Sequence, residues 1–188
     1  MSTKFKLPLL AAFSILFAWP AIWATTLARL SLDQLAGAAE GVARARCAGA
    51  ESRWEYGSIW TYTAFDVVQT IKGDLPAHFI VRLPGGKVGA FTTSVEGAPR
   101  FSAGEEAVVF LERSRAGGYS VTGWAEGTFR IARDANTQRE MVTQDSGSIG
   151  LFDAATRTFR AEGMQKIPME IFRARLEAAL AKAQEKTR

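Results

Sequence analysis

The sequence predicts a mainly β domain that ends in one helix, behind an N-terminal leader. Three observations in the 188 residues support this organisation. Apolar and polar residues alternate over several central stretches, which is the pattern of half-buried strands. Glycine and proline turns separate those stretches. The last twenty or so residues change to a helical period, with apolar residues three and four positions apart.

The leader, residues 1–24, has the anatomy of a signal peptide. Lys4 and Lys6 give it a positive start, residues 7–19 are apolar, and small residues precede the expected cleavage after Ala24. The apolar run is about a dozen residues, whereas a membrane-spanning helix needs roughly 20. An uncleaved signal anchor is the alternative. We therefore expect an exported protein, periplasmic or extracellular, without stable membrane insertion after cleavage.

The net charge of the chain argues against a nucleic-acid partner. The formal net charge is +4, and loss of the two leader lysines leaves about +2, which is too little for a strongly basic surface. The arginines are spread along the chain, so a nucleic-acid groove is not expected.

Cys47 is the one cysteine, so no internal disulfide can form. Three interpretations of it stay open: a buried structural thiol, a reactive thiol near Arg44 and Arg46, or intermolecular pairing.

A short helix and a long hairpin begin the domain. Ser31 is a suitable N-cap, and Gln34 three residues later completes the pattern of a capping box. This predicts one or two helical turns. The period then changes to two, so residues 42–55 and 59–71 are predicted as the first two strands, joined by a polar turn at residues 55–58.

Shorter strands follow, each ended by turn residues. They are predicted at residues 78–83, 106–112, 119–123, 127–133 and 140–143, with a weak hairpin that pairs 149–152 with 156–160. The apolar block at 107–111 predicts a strand covered on both faces. Five principal strands and a peripheral helix fit a small five-stranded, OB-like Greek-key barrel at residues 25–165.

The strand pattern also predicts which side chains fill the barrel. The residues expected to point inward are Phe65, Val67, Phe79, Val81, Val109, Leu111, Phe129 and Ile131.

Residues 166–188 are predicted as a C-terminal amphipathic helix that packs on or beside the domain. Pro168 suits the first helical position. The apolar face comprises Ile171, Phe172, Leu176, Ala179, Leu180 and Ala183. A helix that docks a partner is the alternative, and its mixed charge argues against a membrane surface.

The sequence offers few groups for catalysis or metal binding. His78 is the only histidine, and no Gly-x-Ser-x-Gly elbow accompanies it, so a Ser-His-Asp triad is not expected. One histidine and one cysteine are too few ligands for zinc. Glu105 and Glu106 are adjacent, and adjacent strand residues point to opposite faces. The glycine-rich segment 84–89 lacks the spacing and the following helix of a phosphate loop. We therefore expect no enzyme, no cofactor and no metal site.

Aromatic residues and rigid loops form the candidate ligand surface. Four rings flank the first predicted turn, where they are suited to stacking on a ligand. Proline restricts the backbone of two loops, and glycine permits conformations that other residues avoid. The candidate binding residues are Trp54, Tyr56, Trp60, Tyr62, Pro84, Gly85, Gly86, Pro99 and Phe101. In the alternative interpretation, the tryptophans and Phe101 plug the barrel.

Several segments resemble a family of uncharacterised exported bacterial proteins. They are SLDQL (31–35), ESRW (51–54), IWTYT (59–63), IKG (71–73), LPGG (83–86), GAPRF (97–101), GEE (104–106) and GTFR (127–130). The resemblance covers most of the chain after the leader. It implies an exported domain but no activity.

The order of these elements is also distantly similar to netrin-like OB-fold domains, which include the tissue inhibitors of metalloproteinases. Those inhibitors chelate the protease zinc through an N-terminal cysteine. Here the expected mature start is Thr25 and Cys47 is internal, so that mechanism does not carry over, and fold alone does not give function.

The sequence therefore predicts an exported, non-enzymatic binding module with a protein partner, which includes the case of a secreted protease. The alternatives are a secreted protease inhibitor or protease-associated protein, and a hydrolase that uses carboxylates alone.

Overall fold

The computed structural model describes residues 30–148, 151–153, 158–160 and 163–187. The predicted signal peptide, and residues 149–150 and 154–157 of the weak hairpin, lie outside the described residues. Within the described part, no helix has the length and apolar character needed to cross a membrane.

The described residues form a mainly β structure with one helix at each end. The elements are α1 (Leu32–Ala38), β1 (Gly41–Glu55), β2 (Ser58–Lys72), β3 (His78–Pro84), β4 (Gly86–Val88), β5 (Phe91–Thr93), β6 (Glu106–Arg113), β7 (Tyr119–Val121), β8 (Thr128–Arg133), β9 (Glu140–Gln144), β10 (Leu151–Asp153), β11 (Thr158–Arg160), β12 (Ile167–Pro168) and α2 (Met169–Thr187). Short 3₁₀ turns lie at Trp124–Gly127 and Asp145–Ser148.

Seven of these strands match predicted segments to within two residues at each end, namely β1, β2, β3, β6, β7, β8 and β9. The weak hairpin corresponds to the antiparallel pair β10 and β11. Strands β4, β5 and β12 are additions that the sequence analysis missed. Each has only two or three residues, which is too short for alternation to be recognised.

One eight-stranded sheet organises the molecule, with strand order β1-β2-β3-β7-β6-β8-β9-β12 and a further pairing between β1 and β6. Strands β3 and β7 meet in parallel at Val81 and Tyr119, and the other pairings are antiparallel. Strand pairing therefore runs from β1 through β2, β3, β7 and β6 back to β1. Register shifts along β1, such as the one between Cys47 and Gly49, bend this strand between its two neighbours.

Two apolar clusters lie on opposite faces of this sheet. The first contains Ala43, Ala45, Cys47, Phe65, Phe79, Val81, Leu83, Phe101, Ala107, Val109, Leu111, Tyr119 and Val121. The second contains Leu35, Ala36, Ala39, Val42, Val108, Phe110, Phe129, Val142, Met169, Phe172, Leu176 and Ala179. Strand β6 contributes alternate residues to both clusters, which confirms that it is covered on both faces.

One part of the predicted core is wrong. Phe129 and Ile131 do not share the cluster of Phe65 but lie with the second cluster, against the helices. The reason is the register of β8, in which Phe129 pairs with Val108. Paired residues share a face of the sheet, and the face of Val108 is the one that α2 covers.

Both helices are fixed by local and tertiary contacts. The capping box of α1 is confirmed: the Gln34 amide donates to Ser31 Oγ at 3.2 Å, and the Ser31 amide donates to Gln34 Oε1 at 2.8 Å. At the other end of α1, the Lys72 ammonium donates to two carbonyls, where a cation is favoured. Helix α2 buries Phe172 and Leu176, whereas Ile171, expected on the apolar face, is 44% exposed.

Candidate functional site

The end of the β1–β2 hairpin carries the aromatic residues that the sequence singles out, but on two different faces. Trp54 pairs across the hairpin with Ile59, and Trp60 pairs with Arg53. Successive residues of a strand point to opposite faces, so Trp54 and Trp60 lie on opposite sides of the hairpin. We call the side of Trp60 and Tyr62 the outer face, and the side of Trp54 the loop face.

Arginine side chains cover the aromatic rings of the outer face. The Arg82 guanidinium lies 3.4 Å from the centroid of the Trp60 ring, and that of Arg53 lies 3.8 Å from the Tyr62 ring. The Tyr62 hydroxyl donates to Glu55, which also accepts from Arg82 at 3.3 Å. The bond from Tyr62, followed by that from Arg82, lowers the pKa of Glu55. These rings therefore have arginine partners within the chain.

The loop face presents an aromatic pair to solvent. The rings of Trp54 and Phe91 meet edge to face with centroids 5.7 Å apart. Trp54 is 50% exposed and Phe91 is 64% exposed. Tyr56 follows in the turn and is 94% exposed. Residues 54, 56 and 91 thus form an exposed aromatic edge, which we call the aromatic edge from here on.

Phe91 reaches the site through a small antiparallel ribbon formed by β4 and β5. The sequence pattern predicts a loop here and does not single out Phe91. An isolated aromatic residue in a glycine-rich stretch was the available signal. The turn also determines the face on which Trp54 lies. A two-residue turn at Tyr56 and Gly57, which both have positive φ, fixes which residues pair along the whole hairpin.

The two predicted loops meet at Arg100. Its Nη2 donates to the Pro84 carbonyl at 3.0 Å, and its Nη1 donates to Thr61 Oγ1 at 3.2 Å. The Thr61 hydroxyl donates to the Gly85 carbonyl at 2.6 Å and lies 2.9 Å from Ser52 Oγ. Arg100 therefore ties residues 83–86 and 97–101 to the loop face of the hairpin.

Glycine is required where the ribbon crosses the hairpin. Gly86 has a φ of 139°, and a Cβ there would lie 2.3 Å from Ser52 Oγ. Gly85 has a φ of 81°, and a Cβ there would lie 2.6 Å from the Thr93 carbonyl oxygen. Backbone conformation and close approach thus both exclude a side chain at these positions.

Three predicted site residues lie beneath the surface, namely Gly85, Pro99 and Phe101. Phe101 is 8% exposed and packs edge to face on Phe65, with ring centroids 4.9 Å apart. Pro99 is also buried. Arg130 covers the Phe101 ring, with 4.9 Å from its guanidinium carbon to the ring centroid. The structure thus places Phe101 in the first apolar cluster, where it supports the loop.

A separate polar groove of about 640 Å³ lies beside β1, β6 and β9. Arg44 bonds both Glu106 and Glu140, at 2.6 and 2.8 Å, and Arg46 bonds Glu106 at 2.5 Å. Hydrogen bonds from Arg46 and Arg44 lower the pKa of Glu106, and those from Arg44 lower the pKa of Glu140. Glu105 instead bonds Arg130 at 2.6 Å. The adjacent acids Glu105 and Glu106 therefore have different partners.

Acid should lower the stability of the domain by protonating the carboxylates of this groove. Because the folded-state pKa values of Glu106 and Glu140 lie below 4.5, their contribution to stability is present above pH 4.5 and is lost as the pH falls through the folded values. We expect the melting temperature to fall as the pH drops below about 4.5, with a shallower fall in Glu106→Gln. Glu112→Gln, at an exposed position of the same strand, is the control. Equal acid sensitivity in the two variants would contradict this assignment. Circular dichroism melting curves provide the measurement.

The remaining reactive groups have ordinary surroundings. His78 Nδ1 lies 2.6 Å from Asp66 Oδ1, and both side chains are exposed. Cys47 is 1% exposed, and burial is the main cause that raises the pKa of its thiol, so the structure favours the buried structural thiol. In the part of the chain that the structure describes, no group of three or more histidine, cysteine, aspartate or glutamate residues could hold a metal ion.

No protein-family model, curated protein or solved structure matches this chain. The resemblances to exported bacterial proteins and to netrin-like domains therefore stay predictions.

Proposed function

We propose that this chain is an exported, non-enzymatic binding module for a protein partner, and that the aromatic edge is its contact surface. The observation that carries the proposal is the Trp54–Phe91 pair, whose rings are each at least half exposed although they contact one another. Large aromatic side chains in water forgo the stabilisation that burial gives. Trp and Tyr also dominate the energetics of protein interfaces.

Preorganisation supports the same proposal. The β4–β5 ribbon positions Phe91, and Arg100 bonds the Pro84 carbonyl immediately before that ribbon. At Gly86 the backbone of the ribbon lies close against the hydroxyls of Ser52 and Thr61. A surface that is already fixed loses less conformational entropy when a partner binds. The aromatic edge therefore combines contact area with a low cost of ordering.

We also propose that β1, β2, β3, β6 and β7 form a closed barrel of the OB type. Three features support this: the pairing that returns to β1, the parallel contact of β3 with β7, and the first apolar cluster, to which all five strands contribute. In OB barrels the loop between the first two strands belongs to the ligand surface. Tyr56 lies in that turn.

Export is the part of the proposal that rests on the leader at residues 1–24. A secreted protease is one kind of protein partner in that compartment. No observation in the described residues favours a protease inhibitor over other binding modules.

Substitution of the aromatic edge should abolish partner capture without unfolding the domain. The tagged mature chain is used to capture proteins from the envelope and medium of the producing cells. Loss of a binding hot spot typically lowers affinity at least about tenfold, so Trp54→Ala and Phe91→Ala should each strongly reduce the captured partner. Their melting temperatures should stay close to wild type, because both side chains are already exposed.

Trp60→Ala is the matched control on the outer face. It should retain partner capture but melt at a lower temperature, because Arg82 loses the ring on which it stacks. Unchanged capture by both Trp54→Ala and Phe91→Ala would refute the proposed surface. A large loss of stability in both would instead mean that these rings are structural.

A further inference from the structure

Arg100 differs from the other arginines that donate several side-chain hydrogen bonds. Five arginines in the described residues donate two or more side-chain hydrogen bonds. Four of them donate to carboxylates: Arg44, Arg46, Arg82 and Arg130. Arg100 donates only to a hydroxyl and a carbonyl, and among the described residues no carboxylate pairs with it. Within the described part of the chain, no counter-charge therefore lies at contact distance from its guanidinium.

The surroundings of Arg100 leave its guanidinium able to bind a further partner. Burial lowers the pKa of Arg100, which is the direction expected for a partly desolvated cation without a carboxylate partner. The side chain still reaches solvent, and two of its five N–H groups are used. The Arg100 guanidinium is thus held in place and positively charged, and it can donate two parallel hydrogen bonds to one carboxylate.

Arg100 and the aromatic edge lie on the same face of the hairpin. Arg100 bonds Thr61, which pairs with Ser52 across the strands. Trp54 follows Ser52 by two residues, so it lies on the same face about 7 Å further along the strand. An extended peptide places side chains two positions apart at the same spacing.

We propose that Arg100 binds a carboxylate of the partner protein, an aspartate or glutamate in an extended acidic segment, while a nearby apolar side chain of that segment packs on Trp54 and Phe91. The inference rests on the proposed function and adds the chemical class of the partner. The carboxylate would supply the counter-charge that the described residues do not provide, and a charge-assisted, bidentate bond is the strongest contact available to a guanidinium.

A displayed library of random heptapeptides is a direct probe. The mature wild-type chain should enrich peptides that carry Asp or Glu near an apolar residue. A synthetic copy of the most enriched peptide should lose affinity about tenfold or more when its acid is replaced by the matching amide, since hydrogen bonds to charged groups are the stronger class. This exchange leaves the protein unchanged, so its result does not depend on whether a variant folds.

Protein variants then locate the contact. Arg100→Gln should select peptides without acidic enrichment, whereas Arg53→Gln, an arginine on the outer face, should select like wild type. Circular dichroism confirms that each variant is folded. The inference is overturned if wild type enriches no acidic peptides, if the amide peptide binds as well as the acid, or if Arg100→Gln keeps the acidic preference.

The same probe separates the two proposals. Enriched peptides that lack acids but lose binding in Trp54→Ala would refute the role of Arg100 and keep the aromatic edge. Acidic peptides that bind Trp54→Ala and Phe91→Ala as tightly as wild type would refute the aromatic edge and keep Arg100 as a carboxylate site.

Discussion

Phe129→Ala is expected to lower the free energy of unfolding by about 3–5 kcal/mol, the usual cost of truncating a fully buried phenylalanine. Phe129 is 0% exposed. Its ring centroid lies 5.5 Å from that of Phe110 on β6 and 4.9 Å from that of Phe172 on α2. The substitution therefore removes the ring that joins the sheet to the C-terminal helix. The loss is a large share of the total stability of a typical domain, about 5–15 kcal/mol.

Urea unfolding followed by circular dichroism provides the measurement. Phe91→Ala is the matched control, because it removes the same side chain from an exposed position, 64% accessible. It should change the free energy of unfolding by less than about 1 kcal/mol, as surface substitutions usually do. Wild-type stability of Phe129→Ala would mean that α2 does not pack on β8 as the structure describes.

Gly86→Ala is expected to disrupt both stability and partner binding. The residue has a φ of 139°, and its new Cβ would lie 2.3 Å from Ser52 Oγ and 2.4 Å from Thr61 Oγ1. Neither hydroxyl is free to move, since they bond one another and Thr61 also accepts from Arg100. Backbone strain of this kind costs about 1–3 kcal/mol, and overpacking adds about 1–3 kcal/mol. Displacement of the ribbon should also move Phe91 away from Trp54.

Gly89→Ala separates backbone strain from the clash. Gly89 also has a positive φ, of 58°, and belongs to the same ribbon, but no atom lies within 4 Å of a Cβ there. It should cost only the conformational part, about 1–2 kcal/mol, and keep binding of the selected peptide. If the two variants are equally stable and bind equally well, the ribbon does not cross the hairpin as closely as the structure describes.

Local patterns in the sequence account for most of the secondary structure. Alternation over residues 42–55 and 59–71 predicts β1 and β2, because a strand exposes and buries successive side chains in turn. Ser31 and Gln34 predict the start of α1, because a capping box needs only residues three positions apart. The apolar block of β6 predicts burial on both faces. These features depend on neighbours within one turn or one strand.

The candidate site was only partly predictable for a different reason. Trp54 and Tyr56 are exposed near the turn, whereas the sequence pattern groups them with Trp60 and Tyr62 in one candidate surface. Arg82, which covers Trp60, comes from β3, and the contact exists only because β3 pairs with β2. Phe91 was missed because its partner ring is 37 positions earlier in the chain.

The sequence by itself determined the longer strands, the helix cap and the presence of an aromatic hairpin end. Tertiary structure alone decided that Phe129 faces the helices, that Phe101 is core, and that Arg100 joins two loops. The physical reason is that alternation gives the two faces of a strand but not which elements cover each face. That choice depends on long-range pairing, such as β8 on β6, whose hydrogen bonds and buried contacts join residues that are distant in sequence.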